Sequence, residues 1–184
     1  MYDAYATFQA RSVASSPSER LADPGVLAMG RALSKFSNLH WRATLKRLLA
    51  KMSGKSRDLR DLNEVRQHKT VEAIHETPCI TIEIAKIKGS ECRACDFDVE
   101  FLPLSHANRH RWASVYAARL SGATMPAISV VQVGNVYYVR DGHHRVSVAR
   151  LMGEEYIEAH AQVWEVAGEA AAAPAMSMQL VTAM

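Results

Sequence analysis

The chain has 184 residues, 48% of them hydrophobic, which suits one globular domain with an extension and leaves two full-sized domains cramped. A chain of this length buries about 70% of the surface its unfolded form exposes, so its core needs no disulfide framework or structural metal. Three cysteines, an odd number, also argue against a secreted disulfide scaffold. The net charge of +3 neither demands nor excludes an anionic partner, but it is unevenly spread. Arg31, Lys35, Arg42, Lys46, Arg47, Lys51, Lys55, Arg57, Arg60, Arg66 and Lys69 share their segment with only Asp58, Asp61 and Glu64, so residues 31–69 carry +8 and the remainder −5.

Residues 1–24 are rich in Ala and Ser, carry Pro17 and Pro24 and show no sustained period, so they are expected to be loosely ordered. Their beginning lacks the apolar run of a signal peptide, and no stretch of the chain approaches the ~20 apolar residues of a membrane span. These features predict a soluble, cytoplasmic protein. Val26, Met29, Leu33 and Phe36 fall at helical spacing. Trp41, Leu45, Leu48, Leu49 and Met52 predict a second helix, its apolar stripe opposed by Arg42, Lys46, Arg47 and Lys51 and its end set by Gly54. Leu59, Leu62 and Val65 predict a third, short helix capped by Asp58.

After Pro78 the character changes, because residues 79–87 have the β-branched content and period of two of a strand, which places a boundary near 76–78. Residues 89–103 read as an irregular, acidic stretch. A helix is expected over about 105–121, with Trp112, Val115, Tyr116 and Leu120 on one face and Gly122 ending it. Residues 127–133 and 136–139 are β-rich runs joined by Gly134-Asn135, a two-residue hairpin signature. Arg140-Asp141-Gly142 breaks the second run, 143–152 reads as a short helix with Gly153 near its C-cap, and 156–166 as a further strand. The Ala-rich stretch 167–184, with Pro174, is expected to be a tail. The predicted organisation is therefore α+β: a loosely ordered 1–24, a basic helical segment 25–77, a small mixed β-sheet with flanking helices over 78–166, and the tail.

The chemistry concentrates at Tyr137-Tyr-Val-Arg-Asp141-Gly142-His143-His144-Arg145, a strand, a glycine turn and a helix start. Such a start presents free N–H groups and attracts phosphate. Arg145 in the first turn can reinforce that with a bidentate guanidinium, and His143 and His144 can donate hydrogen bonds or transfer protons near neutral pH. The same residues also read as a plain helix start, with Asp141 as the cap and the histidines as decoration.

Asp141-Gly-His-His-Arg-Val-Ser-Val-Ala-Arg-Leu-Met-Gly153, after a Gly-Asn hairpin and before Ile157-Glu-Ala-His-Ala-Gln-Val163, resembles the ParB/sulfiredoxin superfamily. Upstream, 82–87 matches its first strand, Gly89-Ser90 with Arg93 its first arginine loop, and Trp112 to Met125-Pro126 its helix and the following strand entry. The resemblance spans about 78–166. It implies a ParB/sulfiredoxin-like fold and a nucleotide with Mg2+: CTP as in the partition proteins, or ATP or ADP as in sulfiredoxin and the free-serine kinases. Arg93, Asp141, Gly142, His143, His144 and Arg145 would then line the phosphate site. His143 stands where sulfiredoxin has its catalytic cysteine, which argues against sulfinic acid reduction. His143-His144-Arg145 replaces the Glu-Arg-Arg of the partition proteins. With some eighteen residues after Val166, their helix-turn-helix domain is expected to be absent.

The leading expectation is a nucleotide-binding module of this type, in which phosphate contacts over 142–145 act as a DNA-associated switch. The alternative is an enzyme acting on a phosphoryl group, a small-molecule kinase, nucleotide hydrolase or nuclease, with His143 or His144 as acid or base. Asp98, or its neighbours Asp96 and Glu100, would then hold magnesium or act as base. Cys92-x2-Cys95 and His106-x3-His110 supply zinc-ligand types, but with a short spacer and with Pro103 where a finger's helix would begin. The basic helices over 31–69 could contact nucleic acid or an acidic protein partner, and the bland reading of the same face is a solvated amphipathic surface.

Overall fold

The computed structural model describes residues 24–167; the loosely ordered start expected for 1–23 and the tail expected for 168–184 lie outside them. In chain order the elements are α1 (Pro24–Met52), β1 (Arg60–Asp61), α2 (Leu62–His68), β2 (Val71–Glu83), β3 (Ile87–Ser90), α3 (Arg109–Leu120), β4 (Ile128–Val133), β5 (Val136–Asp141), α4 (His143–Met152) and β6 (Tyr156–Val166). Single 3-10 turns, Ile84–Lys86 and His106–Asn108, precede β3 and α3. The six strands form one mixed sheet in the order β1-β3-β5-β4-β6-β2. β3 runs parallel to β1 and β5, and β4 parallel to β6, while β4–β5 and β2–β6 are antiparallel pairs. The fold is therefore α+β, as the alternation of patterns predicted.

Successive residues of a strand point to opposite faces, and the central strands bury both. Val130, Val139, Ala159 and Ala161 face a core shared with α1, α3 and α4. Val131, Tyr138, Trp164 and Val166 face Leu62 of α2 on the other side. The hairpin at Gly134-Asn135, the C-cap at Gly153 (φ 76°) and the last strand fall where the sequence placed them. No helix among the described residues is long and apolar enough to cross a membrane.

The N-terminal half differs from expectation in three ways. The two helices expected over 26–52 are one helix of 29 residues, because no glycine or proline interrupts the chain between Arg31 and Met52. Its buried side is Ala32, Phe36, Leu39 and Ala43, whereas Trp41, Leu45, Leu48, Leu49 and Met52 are exposed. Ala32 of α1 meets Ala113 and Ala117 of α3, small side chains that admit close backbone approach, and Phe36 packs against Trp112 beside them. Second, Asp61 rather than Asp58 caps α2, accepting from the Asn63 N–H; Asp58 pairs with Arg47 at 2.9 Å.

Third, β2 begins at Val71 and runs through Pro78, so the boundary expected near 76–78 falls inside a strand. Pro78 sits at a register shift between Glu76 and Cys79 on a sheet edge, where a missing N–H is tolerated. Beside it Thr77 Oγ1 donates to the Ala161 carbonyl at 2.9 Å and accepts from the Ala161 N–H at 3.2 Å, replacing ladder bonds across the irregularity.

Trp112 ties three helices together. It is fully buried, donates Nε1–H to Ser147 Oγ of α4 at 2.9 Å, stacks on Tyr116 and meets Phe36 of α1 edge-on. Trp112→Ala is expected to cost about 3–5 kcal/mol, read as a lower urea midpoint with an unchanged slope. A loss below 1 kcal/mol, on the order of a surface substitution, would show that the three helices do not depend on this ring.

Candidate functional site

The strand β5 ends at Asp141 and Gly142 turns the chain into α4 with φ 100°. A Cβ at Gly142 would lie 2.5 Å from Ile128 Cγ2, so both conformation and space require glycine there. Gly142 is the N-cap and no side chain caps the helix. The first-turn N–H groups therefore keep the partial positive charge of a helix start without a capping carboxylate. This corrects the reading of Asp141 as cap: its carboxylate pairs with Arg145 at 2.6 Å instead.

His143 and His144 are both buried. Nε2 of His143 is hydrogen-bonded to Ser90 Oγ at 2.7 Å. Ser90 Oγ in turn accepts from the Arg93 N–H at 2.8 Å, so one buried hydroxyl holds the 90–93 loop against α4. Phe97 stacks on His143 and meets His144 edge-on.

Burial, then Arg93 and His144, pushes the His143 pKa down to about 4. Burial, then Arg111 and Arg93, does the same to His144. Both rings are neutral at pH 7, so proton transfer near neutral pH, expected from the residue type, is not what this environment supports. Nδ1 of His144 is buried without a hydrogen-bond partner. Of the groups around the two rings, Phe97 and Arg111 carried no site signal in the sequence, and Ser90 entered only as part of the Arg93 loop. Arg111 lies one helical turn into a segment read for its apolar face, and Ser90 reaches His143 across 53 residues.

Arg145 is placed differently from expectation. Its guanidinium donates to the Pro126 and Ala127 carbonyls at 2.5 and 2.8 Å as well as to Asp141, so it fastens the entry to β4 to the helix start. Arg93 is less committed: it pairs with Asp96 at 3.2 Å and is one-third exposed. The acidic loop is consumed by cations. Asp98 is fully buried, bonded to Arg57 at 2.8 Å and to the N–H groups of Glu100 and Leu102. Glu100 pairs with Lys46 at 2.6 Å and Arg57 at 2.8 Å. Asp96, Asp98 and Glu100, expected to hold magnesium or act as base, thus make four ion pairs, with Arg57 shared between Asp98 and Glu100.

The cysteines and histidines with zinc-ligand spacing have other surroundings. Among the described residues no three His, Cys, Asp or Glu side chains gather as a metal site. His106 instead packs against His40, with ring centroids 3.9 Å apart, and against Phe36, while Cys92 and Cys95 are exposed. The basic segment is partly neutralised internally, since Lys46, Arg47, Arg57 and Arg66 pair with Glu100, Asp58, Asp98 and Glu91.

No protein-family model matches the chain, and no curated protein matches it. Among solved structures it is similar to sulfiredoxin from Arabidopsis thaliana, at 15% identity and a TM-score of 0.35, over 46% of this chain and 84% of that one.

Proposed function

We propose that the protein binds a phosphate-bearing nucleotide at the start of α4, with Arg93, the first-turn N–H groups and His144 as its contacts. The observation that carries this reading is His144. A buried polar atom without a partner costs about 1–3 kcal/mol, and here it is Nδ1 of a neutral ring flanked by Arg93 and Arg111 beside an uncapped helix start. A phosphate oxygen accepting from Nδ1–H would satisfy the ring, the helix start and the two cations together. The resemblance of the Asp-Gly-His-His-Arg segment to the ParB/sulfiredoxin superfamily supports a nucleotide as the source of that phosphate. Magnesium would arrive with the nucleotide's phosphates.

A switch reading has a physical route. The loop that carries Arg93 runs through Asp96 and Asp98 to Glu100; Asp98 and Glu100 hold Arg57, just beyond α1, and Glu100 also holds Lys46 of α1. Capture of Arg93 by a phosphate competes with its Asp96 contact and so acts on the segment that anchors α1. The enzyme reading has less support, because both imidazoles are neutral and Asp98 is committed to Arg57.

Thermal unfolding against ATP, ADP, CTP and GTP with magnesium tests the proposal. One nucleotide is expected to raise the midpoint by about 2–4 °C per kcal/mol of linkage, and Arg93→Ala is expected to abolish the shift. No shift with any nucleotide overturns it. Arg145→Ala is the wrong probe, since it removes contacts to Pro126 and Ala127 that hold the fold.

A further inference from the structure

α1 carries six Lys or Arg and no Asp or Glu over its 29 residues. Its inner side is buried through Ala32, Phe36, Leu39 and Ala43. On the opposite side Trp41, Leu45, Leu48 and Met52 follow one another at intervals of four, three and four residues, which keeps them in one line along a helix. They are 66%, 42%, 57% and 80% exposed, and Leu49 beside them is 56% exposed. The line extends about 16 Å. An exposed apolar row of this kind marks an interaction surface.

The charges around it select the partner. Lys46 and Arg47 turn inward to Glu100 and Asp58, while Arg42 and Lys51 border the row on its two sides with no acidic residue anywhere on the helix. A second copy of the chain would set these cations against their own counterparts. A nucleic acid backbone would match the cations but press phosphates onto Leu48 and Met52. A lipid surface wets a broad face, whereas this row is one side chain wide apart from Leu49 and continues towards the N-terminus through the polar Asn38, Ser34 and Arg31. We propose that this face of α1 docks an amphipathic helix of another protein, apolar along one seam and bordered by Asp and Glu. The proposal is independent of the nucleotide site.

The test uses the full chain and a labelled synthetic helix of three heptads, Leu at the seam and Glu at the flanks, with a Lys-flanked counterpart. Saturable binding of the Glu-flanked peptide alone is expected. Leu45→Ser and Leu48→Ser are each expected to weaken it about tenfold or more, and Arg42→Glu with Lys51→Glu is expected to reverse the preference to the Lys-flanked peptide. Absence of binding by a chain whose circular dichroism shows its helices intact overturns the proposal, as does equal binding of both peptides. It is also overturned by a dimer in sedimentation that Leu48→Ser dissociates. Capture by phosphatidylserine vesicles or duplex DNA that the peptide does not compete, or peptide binding that appears only after removal of residues 1–23 or 168–184, overturns it too.

Discussion

Between about pH 6.5 and pH 4 the protein is expected to lose on the order of 3 kcal/mol of stability for each of its two buried imidazoles, His143 and His144. The sign follows from proton counting. The unfolded chain takes up a proton on each ring near pH 6.5, while the folded chain resists until about pH 4, so in that window the unfolded state binds more protons and stability rises with pH. The contribution is complete above pH 6.5 and is lost as pH falls through 4. The rings repel each other once charged, so the two losses do not simply add. Urea unfolding at a series of pH values measures the slope, and His143→Gln with His144→Gln should flatten it. A slope unchanged in that double variant would mean that carboxylates, not these rings, set the acid limit.

The second large effect is at Gly142. Gly142→Ala is expected to cost about 2–5 kcal/mol, from a positive φ that an L side chain resists and from a Cβ driven into Ile128. Gly153→Ala separates the two contributions. Gly153 also has a positive φ, 76°, but nothing lies within 4 Å of an added Cβ, so it should cost only about 1–2 kcal/mol. Equal losses at the two positions would falsify the steric contribution at Ile128. Because Gly142 joins β5 to α4, the same substitution is also expected to displace the first-turn N–H groups, and nucleotide-induced stabilisation should disappear with it.

The C-terminal half was legible because its signals are local. A two-residue Gly-Asn turn between β-rich runs, a glycine at each end of a ten-residue helix, and an unbroken strand pattern over 156–166 each fix an element without help from elsewhere. The N-terminal half was not, because its signals are relational. Periodicity showed that α1 has an apolar stripe, but the face that packs is chosen by the alanines and Trp112 of α3, which no local pattern reveals. Pro78 reads as a breaker unless the strand is known to lie at a sheet edge. The candidate site divides in the same way. Gly142, His143 and His144 are legible in their own segment, and Arg93 only through the family resemblance. The partners that decide what they do, Ser90 for His143, Arg111 for His144, the Pro126 and Ala127 carbonyls for Arg145 and Arg57 for Asp98, come from distant parts of the chain.

The strand order also bears on how the protein is made. β1 and β2, the first of the described strands in chain order, occupy the two outer edges of the sheet, and the strands between them are encoded later. Cys79 of β2 meets its partner His160 only after 81 further residues have left the ribosome. β6 is the last of the described strands and the one that bonds both β4 and β2, so it closes the sheet as a keystone closes an arch. Until it arrives, β2 is a strand with no ladder and β4 an open edge, the state in which nascent chains are most prone to pair with one another. The burden on the cell's chaperones therefore falls on the interval before β6 emerges.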